Sequence, residues 1–219
     1  MNGRLQRTNS LMVMIMIAEC RSTISCGLCA RAIVLSWSIQ ALMRRPPLRG
    51  IALATPRQLL REVGLDPSGI SDVIITHLHY DHAGNRDLFG QARFHIQDRE
   101  MAYATGRCMC HAGLRSAFDG RDVAAMVGRV FSGHVCFHDR SVTLMPGVEV
   151  HREGGHTDGL QVVRVWTRRG WGALAFDASH FYANMDEGRS FPIVYNLGDT
   201  YEGHRTCLRL TVPECDSRA

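Results

Sequence analysis

The sequence predicts a layered sandwich of mixed class, α/β or α+β, in which sheets carry helices on their outer faces. Three observations support this prediction. Helical and extended patterns alternate between residues 55 and 131, strand patterns follow one another from residue 135 to residue 176, and a cluster of histidines directly follows a short apolar segment. The 219 residues are enough for one domain with a sizeable core.

The segments of the first half have clear end signals. A helix is expected over 55–63, with Thr55 as its N-cap, Pro56 at the first helical position and Gly64 as its stop. Residues 72–76 predict a buried strand that delivers the histidine cluster at its C-terminal end. The patterns that follow predict a strand over 92–97, a helix over 98–105 capped by Asp98, and a helix over 122–131 followed by Gly133.

The second half is rich in strands. Patterns of alternating or continuous apolar residues predict strands over 135–138, 142–145, 148–151, 160–167 and 171–176. The last two are joined through Arg168-Arg169-Gly170, a hairpin turn that places glycine where a positive φ is needed.

The N-terminal segment, residues 1–54, differs from the rest because it contains no Asp and a large excess of Arg. Its apolar run Leu11 to Ala18 resembles the apolar region of a signal peptide, but a buried strand explains the same run and is the favoured interpretation. No run reaches the ~18 apolar residues of a membrane span, so we expect no membrane association. Cys26 and Cys29 have the spacing of half a zinc site, although no second pair follows and a structural or accidental origin is favoured.

The charge distribution and the cysteine content limit the possible functions and locations of the protein. The net charge is +4, but the arginine excess lies in residues 1–61, and from residue 62 onward acidic residues outnumber arginines. A basic surface for a phosphate backbone should lie on the functional domain, so we expect no nucleic-acid partner. The chain contains no Lys, which excludes a Schiff-base or phosphate-loop lysine. Its eight cysteines lack the spacing of a disulfide framework and predict reduced thiols and a cytoplasmic location.

The run His77-Leu78-His79-Tyr80-Asp81-His82 is the strongest functional signal. His77 and His79 project to one side of an extended segment, and Asp81 and His82 lie where the backbone turns away, so two ligand pairs can face two neighbouring positions. Imidazole and carboxylate suit zinc, and also iron or manganese. The alternative is a polar loop that is rich in histidine by chance.

Two later segments carry the same chemistry. Gly154-Gly155-His156 and Phe176-Asp177 each place one potential ligand just beyond a strand, and glycine beside His156 would let the backbone approach a metal closely. Taken singly, His156 could be an exposed loop histidine and Asp177 a turn or capping residue. Together with the upstream cluster, the pattern favours metal ligation.

These residues resemble, in type and order, the metallo-β-lactamase-fold hydrolases, which share His-x-His-x-Asp-His, a later Gly-Gly-His and a later strand-end Asp. The stretches 76–85, 92–97, 154–159 and 177–184 look most like the N-acyl homoserine lactonase branch, and the resemblance covers about residues 55–200. It implies an α+β fold of the αββα sandwich type, a site for two zinc ions, and quorum-quenching hydrolysis of a small-molecule lactone by a metal-bridging hydroxide. We therefore expect a metallo-hydrolase domain over 55–204, preceded by an atypical, poorly ordered segment over 1–54 and followed by an atypical tail over 205–219.

The resemblance also implies roles. It assigns His77, His79 and His156 to the first metal and Asp81 and His82 to the second, with Asp177 bridging both. Asp81 would orient the nucleophile and return a proton to the leaving alkoxide. Lactonases carry a substrate-contacting Tyr three residues after the bridging Asp; here His180 has that position and Tyr182 lies two residues further on, so both are candidate substrate contacts.

The ends depart from the family pattern. The family has an early Asp-containing turn that supports the ligand histidines and a late Gly-His turn that supplies the last ligand of the second metal. Neither has a counterpart in this sequence, so we expect the fold to be incomplete at both ends. His204 is a weak substitute for the missing ligand. Two alternatives remain open beside the lactonase interpretation: a thioester hydrolase of the glyoxalase II type, and a catalytically impaired remnant whose second metal is weakly held.

Overall fold

A computed structural model describes residues 14–19, 31–36, 56–62, 65–167 and 170–211. Its first sheet has five strands in the order β1-β2-β3-β4-β5, with an antiparallel β1–β2 pair and parallel pairing beyond it. The strands are β1 (Met14–Glu19), β2 (Arg31–Ser36), β3 (Asp72–Ile75), β4 (Arg93–Gln97) and β5 (Val135–His138).

The second sheet is an antiparallel meander whose four strands lie in chain order. They are β6 (Val142–Met145), β7 (Val148–Arg152), β8 (Gln161–Thr167) and β9 (Gly170–Leu174). Gly170 has a φ of +100°, as the predicted hairpin turn requires.

Helices connect and cover the two sheets. They are α1 (Pro56–Glu62), α2 (Tyr80–Ala83), α3 (Asp98–Thr105), α4 (Ala112–Arg115), α5 (Gly120–Phe131), α6 (Tyr182–Asp186) and α7 (Leu197–Leu210). Among the described residues, no helix is long and apolar enough to cross a membrane.

Alternating side chains on the central strands separate the layers. Val73 and Ile75 of β3 join the apolar cluster that includes helix residues such as Met101 and Met126, whereas Ile74 packs against valines of the second sheet. On β8, Val163 faces this inter-sheet cluster, and Val162 packs with residues of α7. Because neighbouring strand residues point to opposite faces, this pattern gives the order helix, sheet, sheet, helix. The predicted αββα sandwich is confirmed.

The sequence patterns located most elements within two residues. One cap was wrong: Gln97 precedes α3, and Asp98 is its first residue rather than its cap. For α5, the Asp119 carboxylate accepts a hydrogen bond from the Arg121 amide, so the helix begins two residues earlier than predicted.

Other predictions concern the ends of the chain. The favoured strand in the run Leu11 to Ala18 corresponds to β1, and α7 crosses the expected boundary between residues 204 and 205 without a break. The Cys26–Cys29 pair, Thr55, Gly64 and the turn residues 168–169 lie outside the described residues.

Candidate metal centre

The histidine cluster follows β3 directly and folds into a bend and a short helix. His77 and His79 are buried, and His79 precedes α2, which contains Asp81 and His82. The chain therefore leaves the sheet at the carboxyl end of a parallel strand, where open α/β sheets place their sites. His156 reaches the same place from the loop after β7, and Asp177 from the turn after β9.

Asp177 lies at the centre of the cluster. Its Oδ2 atom is 3.2 Å from His156 Nε2, 3.3 Å from His82 Nε2 and 3.6 Å from His77 Nε2. His79 Nδ1 is 3.0 Å from His156 Nε2, which places it in the same cluster. One carboxylate oxygen thus contacts imidazoles from both halves of the chain.

The donor atoms form two groups that share Asp177. One contains His77, His79, His156 and Asp177, and the other contains Asp81, His82 and Asp177; within each group the donor atoms lie within 4.8 Å of one another. Three imidazoles with one carboxylate, and two carboxylates with one imidazole, are donor sets that suit zinc and similar divalent ions.

The outer nitrogens of the imidazoles are held by neighbouring groups. His156 Nδ1 donates to the Ile193 carbonyl at 2.8 Å, so its Nε2 faces the cluster. The Thr76 hydroxyl lies 3.2 Å from His77 Nδ1 and 3.3 Å from His82 Nδ1. Within the described part of the chain, the buried His77 Nε2 has no hydrogen-bond partner. A buried imidazole fits a metal ligand when a neighbouring group orients one ring nitrogen and the other ring nitrogen has no hydrogen-bond partner.

Burial sets the charge of this cluster. It lowers the pKa of His77 well below the ordinary value and lowers the pKa of His79 to about 2, and neighbouring imidazoles add to both effects. Burial alone would raise the pKa of Asp177, but His82 and the other imidazoles hold that pKa far below its usual range. The centre therefore presents the ionised Asp177 carboxylate beside the neutral imidazoles of His77 and His79, which is the protonation state in which these three residues bind a cation.

The pKa values of Asp81 and His82 shift in the opposite direction from those of His77 and His79. Burial raises the pKa of the Asp81 carboxyl. For His82, burial opposes the charged form, yet the neighbouring Asp177 carboxylate raises its pKa. A cation bound here would displace a proton from this pair, so its binding should weaken as the pH falls.

Glu100 is a supporting residue that the sequence patterns did not reveal. Its fully buried carboxylate accepts hydrogen bonds from the Leu78 amide at 2.8 Å, the Thr157 hydroxyl at 2.6 Å and the Gly159 amide at 3.2 Å. Leu78 lies between two candidate ligands, and Thr157 follows a third. Glu100 therefore links the two ligand loops by hydrogen bonds. Only its position three residues after β4 could have hinted at this role.

The glycine beside His156 allows a close backbone contact that the sequence did not reveal. Gly155 has a φ of +83°, and a Cβ atom built there would lie 2.7 Å from the Thr200 amide nitrogen. Glycine is thus required for close approach to the first turn of α7, and its expected role beside a metal stays a prediction. This contact also brings α7 against the loop that carries His156.

The weaker candidates occupy distinct places. His180 Nε2 lies 3.6 Å from Asp177 Oδ2, and its ring stacks on Phe191. Tyr182 is 83% exposed at the start of α6 and lines an open groove of about 700 Å³ beside Asp177. His204 is buried on α7 and hydrogen-bonds the Ala178 backbone, outside both donor groups.

Asp177 follows an unusual backbone turn. Phe176 has a φ of +49°, a conformation that non-glycine residues adopt uncommonly. The strand β9 ends two residues earlier, so Asp177 lies in a 3₁₀ turn rather than at the strand end. Such outliers cluster at functional sites, and this one redirects the chain so that the carboxylate meets the histidines.

Similarities to known proteins agree with this geometry. The chain is 31% identical over 126 residues to the N-acyl homoserine lactonase AiiB of Agrobacterium fabrum, a match that covers 57% of this chain and 45% of that protein. The lactonase of the same name in Rhizobium rhizogenes is 30% identical with the same coverage. The chain thus spans about half the length of these two relatives.

Two solved structures share the fold. The crystal structure of a quorum-quenching N-acyl homoserine lactone lactonase matches with a TM-score of 0.63 at 20% identity, over 83% of this chain and 70% of that chain. A dizinc quorum-quenching lactonase, AidC, matches with a TM-score of 0.63 at 15% identity, over 90% of this chain and 67% of that chain.

The family match extends over strands β3 to β9 and over the residues of both donor groups. The description of the matching family is the metallo-beta-lactamase superfamily, and the match covers residues 36–201. With the αββα layers and the histidine–aspartate cluster at the ends of the strands, the chain belongs to the metallo-beta-lactamase superfamily.

Proposed function

We propose that this chain is a metal-dependent hydrolase that opens the ring of an N-acyl homoserine lactone. The observation that carries the proposal is the convergence of two donor groups on one oxygen of Asp177. A shared carboxylate is what keeps two cations close enough to act on one water. The named relatives are lactonases, which favours a cyclic ester over other substrates.

The proposed ligands follow the two groups. His77, His79 and His156 would hold the first zinc ion, Asp81 and His82 would hold the second, and Asp177 would be shared by both. Two zinc ions bound there would lower the pKa of a shared water toward ~7 and polarise the substrate carbonyl.

The side chains around the ions have separate tasks. Asp177 fixes the spacing of the two positions through one oxygen. Asp81 is 26% exposed, so its carboxylate can reach both the site and an incoming substrate. Burial raises the pKa of Asp81, which suits a group that receives a proton and returns it to the leaving alkoxide.

The groove beside Asp177 supports a substrate with an apolar chain. It has a volume of about 700 Å³, and apolar side chains line most of it, among them Leu174, Phe181 and Leu208. An acyl chain in this groove would lose contact with water while its ring end reached Asp177. Tyr182 lines the same groove and is the proposed contact for the substrate beyond the metals.

The decisive experiment measures hydrolysis by zinc-loaded protein. N-hexanoyl and N-decanoyl homoserine lactone would be offered in parallel with a glutathione thioester, and acid release would be followed with a pH indicator. Ring opening that is lost in Asp177→Asn and retained in His111→Ala, an exposed histidine outside the cluster, supports the proposal. Preferential cleavage of the thioester would favour the glyoxalase II type of reaction, and hydrolysis of neither substrate would indicate the impaired remnant.

A further inference from the structure

His180 is the fourth imidazole around the shared oxygen. Among the described residues, His77, His82, His156 and His180 each place Nε2 within 3.6 Å of Asp177 Oδ2. The first three belong to the two compact donor groups, and His180 does not. A histidine that faces the same oxygen from a different element therefore requires its own explanation.

The two donor groups are unequal in ligand number. The first offers three imidazoles beside the shared carboxylate, whereas the second offers only Asp81 and His82 beside it. Zinc sites in proteins commonly have four ligands, or three protein ligands and a water. The second position has the smaller number of imidazoles and therefore gains more from an additional one.

The surroundings of His180 suit a ligand. Its ring stacks on Phe191 with the ring centres 3.8 Å apart and a 14° angle between planes, and it meets the His156 ring edge-on at 5.3 Å. These contacts hold the ring beside the cluster. The side chain is 20% exposed, and among the described residues its ring has no hydrogen bond that metal binding would break.

We propose that His180 is a ligand of the second metal, a role that rests on the proposed two-metal function and replaces the substrate contact expected from the sequence. His204 is the competing candidate, since it lines the same small cavity as His180 and Asp177. Its ring, however, is tied to the Ala178 backbone, and it lies on α7 rather than beside Asp177 in the chain. Among the described residues, the imidazoles within 3.6 Å of Asp177 Oδ2 include His180 and not His204, so His204 is the poorer candidate.

The test is a zinc titration of chelator-treated protein, with the bound metal confirmed by elemental analysis. The parent chain, His180→Ala, His204→Ala and the exposed control His111→Ala would be compared, and circular dichroism would report folding. We expect two equivalents of zinc in the parent chain, His204→Ala and His111→Ala. In His180→Ala, the first equivalent should bind within about threefold of the parent, and the second should weaken by at least the ~10–100-fold that loss of even an outer partner costs.

Three outcomes would overturn the proposal. His180→Ala could keep both equivalents with unchanged affinity, or His204→Ala could lose the second one instead, and either result would leave the proposed two-metal function standing. In the third outcome, the parent chain would bind a single equivalent, which would leave the first site but remove the two-metal mechanism as well. Failure of the parent chain to bind any zinc would instead refute the proposed function itself.

Discussion

The two halves of the candidate metal centre differ in burial and support, although they share Asp177. In the first, His77, His79 and His156 are almost entirely buried, and the loops that carry them are fastened by Glu100. In the second, Asp81 is 26% exposed and the neighbouring His180 is 20% exposed. A rigid, dry set of ligands favours affinity, whereas an open set leaves space for a substrate. On the proposed two-metal function, the buried position would hold its metal tightly and the more exposed position would present its metal to the substrate.

Removing the buried half should have the largest effect. We expect the double change His77→Ala and His79→Ala to abolish zinc binding at the first position, because that group loses two of its three imidazoles. Elemental analysis after dialysis against zinc checks this, with His111→Ala as the matched control. A full metal complement in the double variant would contradict the assignment of these ligands.

Changing Asp177, which the two halves share, should have the next largest effect, in this case on the rate of hydrolysis. In Asp177→Asn the shared oxygen remains but its charge is lost, so the two positions no longer share an anionic bridge. We expect the rate of lactone opening to fall by at least ~100-fold, beyond the range typical of an outer-shell partner. Turnover equal to that of the parent chain would show that the reaction does not depend on two bridged metals.

Loosening the support of the buried half should have a smaller effect. Glu100→Gln keeps the size of the side chain, but its amide nitrogen cannot accept the hydrogen bonds that one carboxylate oxygen now receives from Thr157 and Gly159. We expect the first zinc equivalent to bind ~10–100-fold more weakly. The measurement is competition with a chromophoric chelator, and Glu202→Gln on the exposed face of α7 is the control. An unchanged affinity would mean that the loops hold their geometry without Glu100.

The smallest expected effect is the difference in zinc affinity between the two positions of the unchanged chain. We expect two binding steps in a zinc titration, with the exposed position weaker by about tenfold or more, because partly exposed ligands keep more freedom and compete with water. Isothermal titration would resolve the steps. Two equally tight steps would remove the contrast between the halves.

The sequence predicted the fold class and the family, and both are confirmed. The ligand set remains a prediction, although its members meet as expected. Local chemistry made this possible: His77 to His82 are neighbours in the chain, and they follow a strand whose end is marked by the change from apolar to polar residues.

The parts that were missed depend on contacts between distant residues. Glu100 contacts loops 22 to 59 residues away, which no local pattern can reveal. Helix α7 was missed because its buried face consists of small or polar residues together with Leu210, so it shows no apolar periodicity. That buried face is Thr200, Gly203, His204, Cys207 and Leu210.

The ligands come from both sheets, since the His77 to His82 segment follows β3 of the first sheet and Asp177 follows β9 of the second. A bound cation would therefore link the two sheets of the sandwich, and this link would exist only in the folded chain. Its binding free energy then adds to the unfolding free energy, by about 2.7 kcal/mol when free metal exceeds its dissociation constant 100-fold. The melting temperature should accordingly rise with the logarithm of the free zinc concentration and drop when a chelator is added. The thermal stability of this protein would then report the concentration of free metal around it.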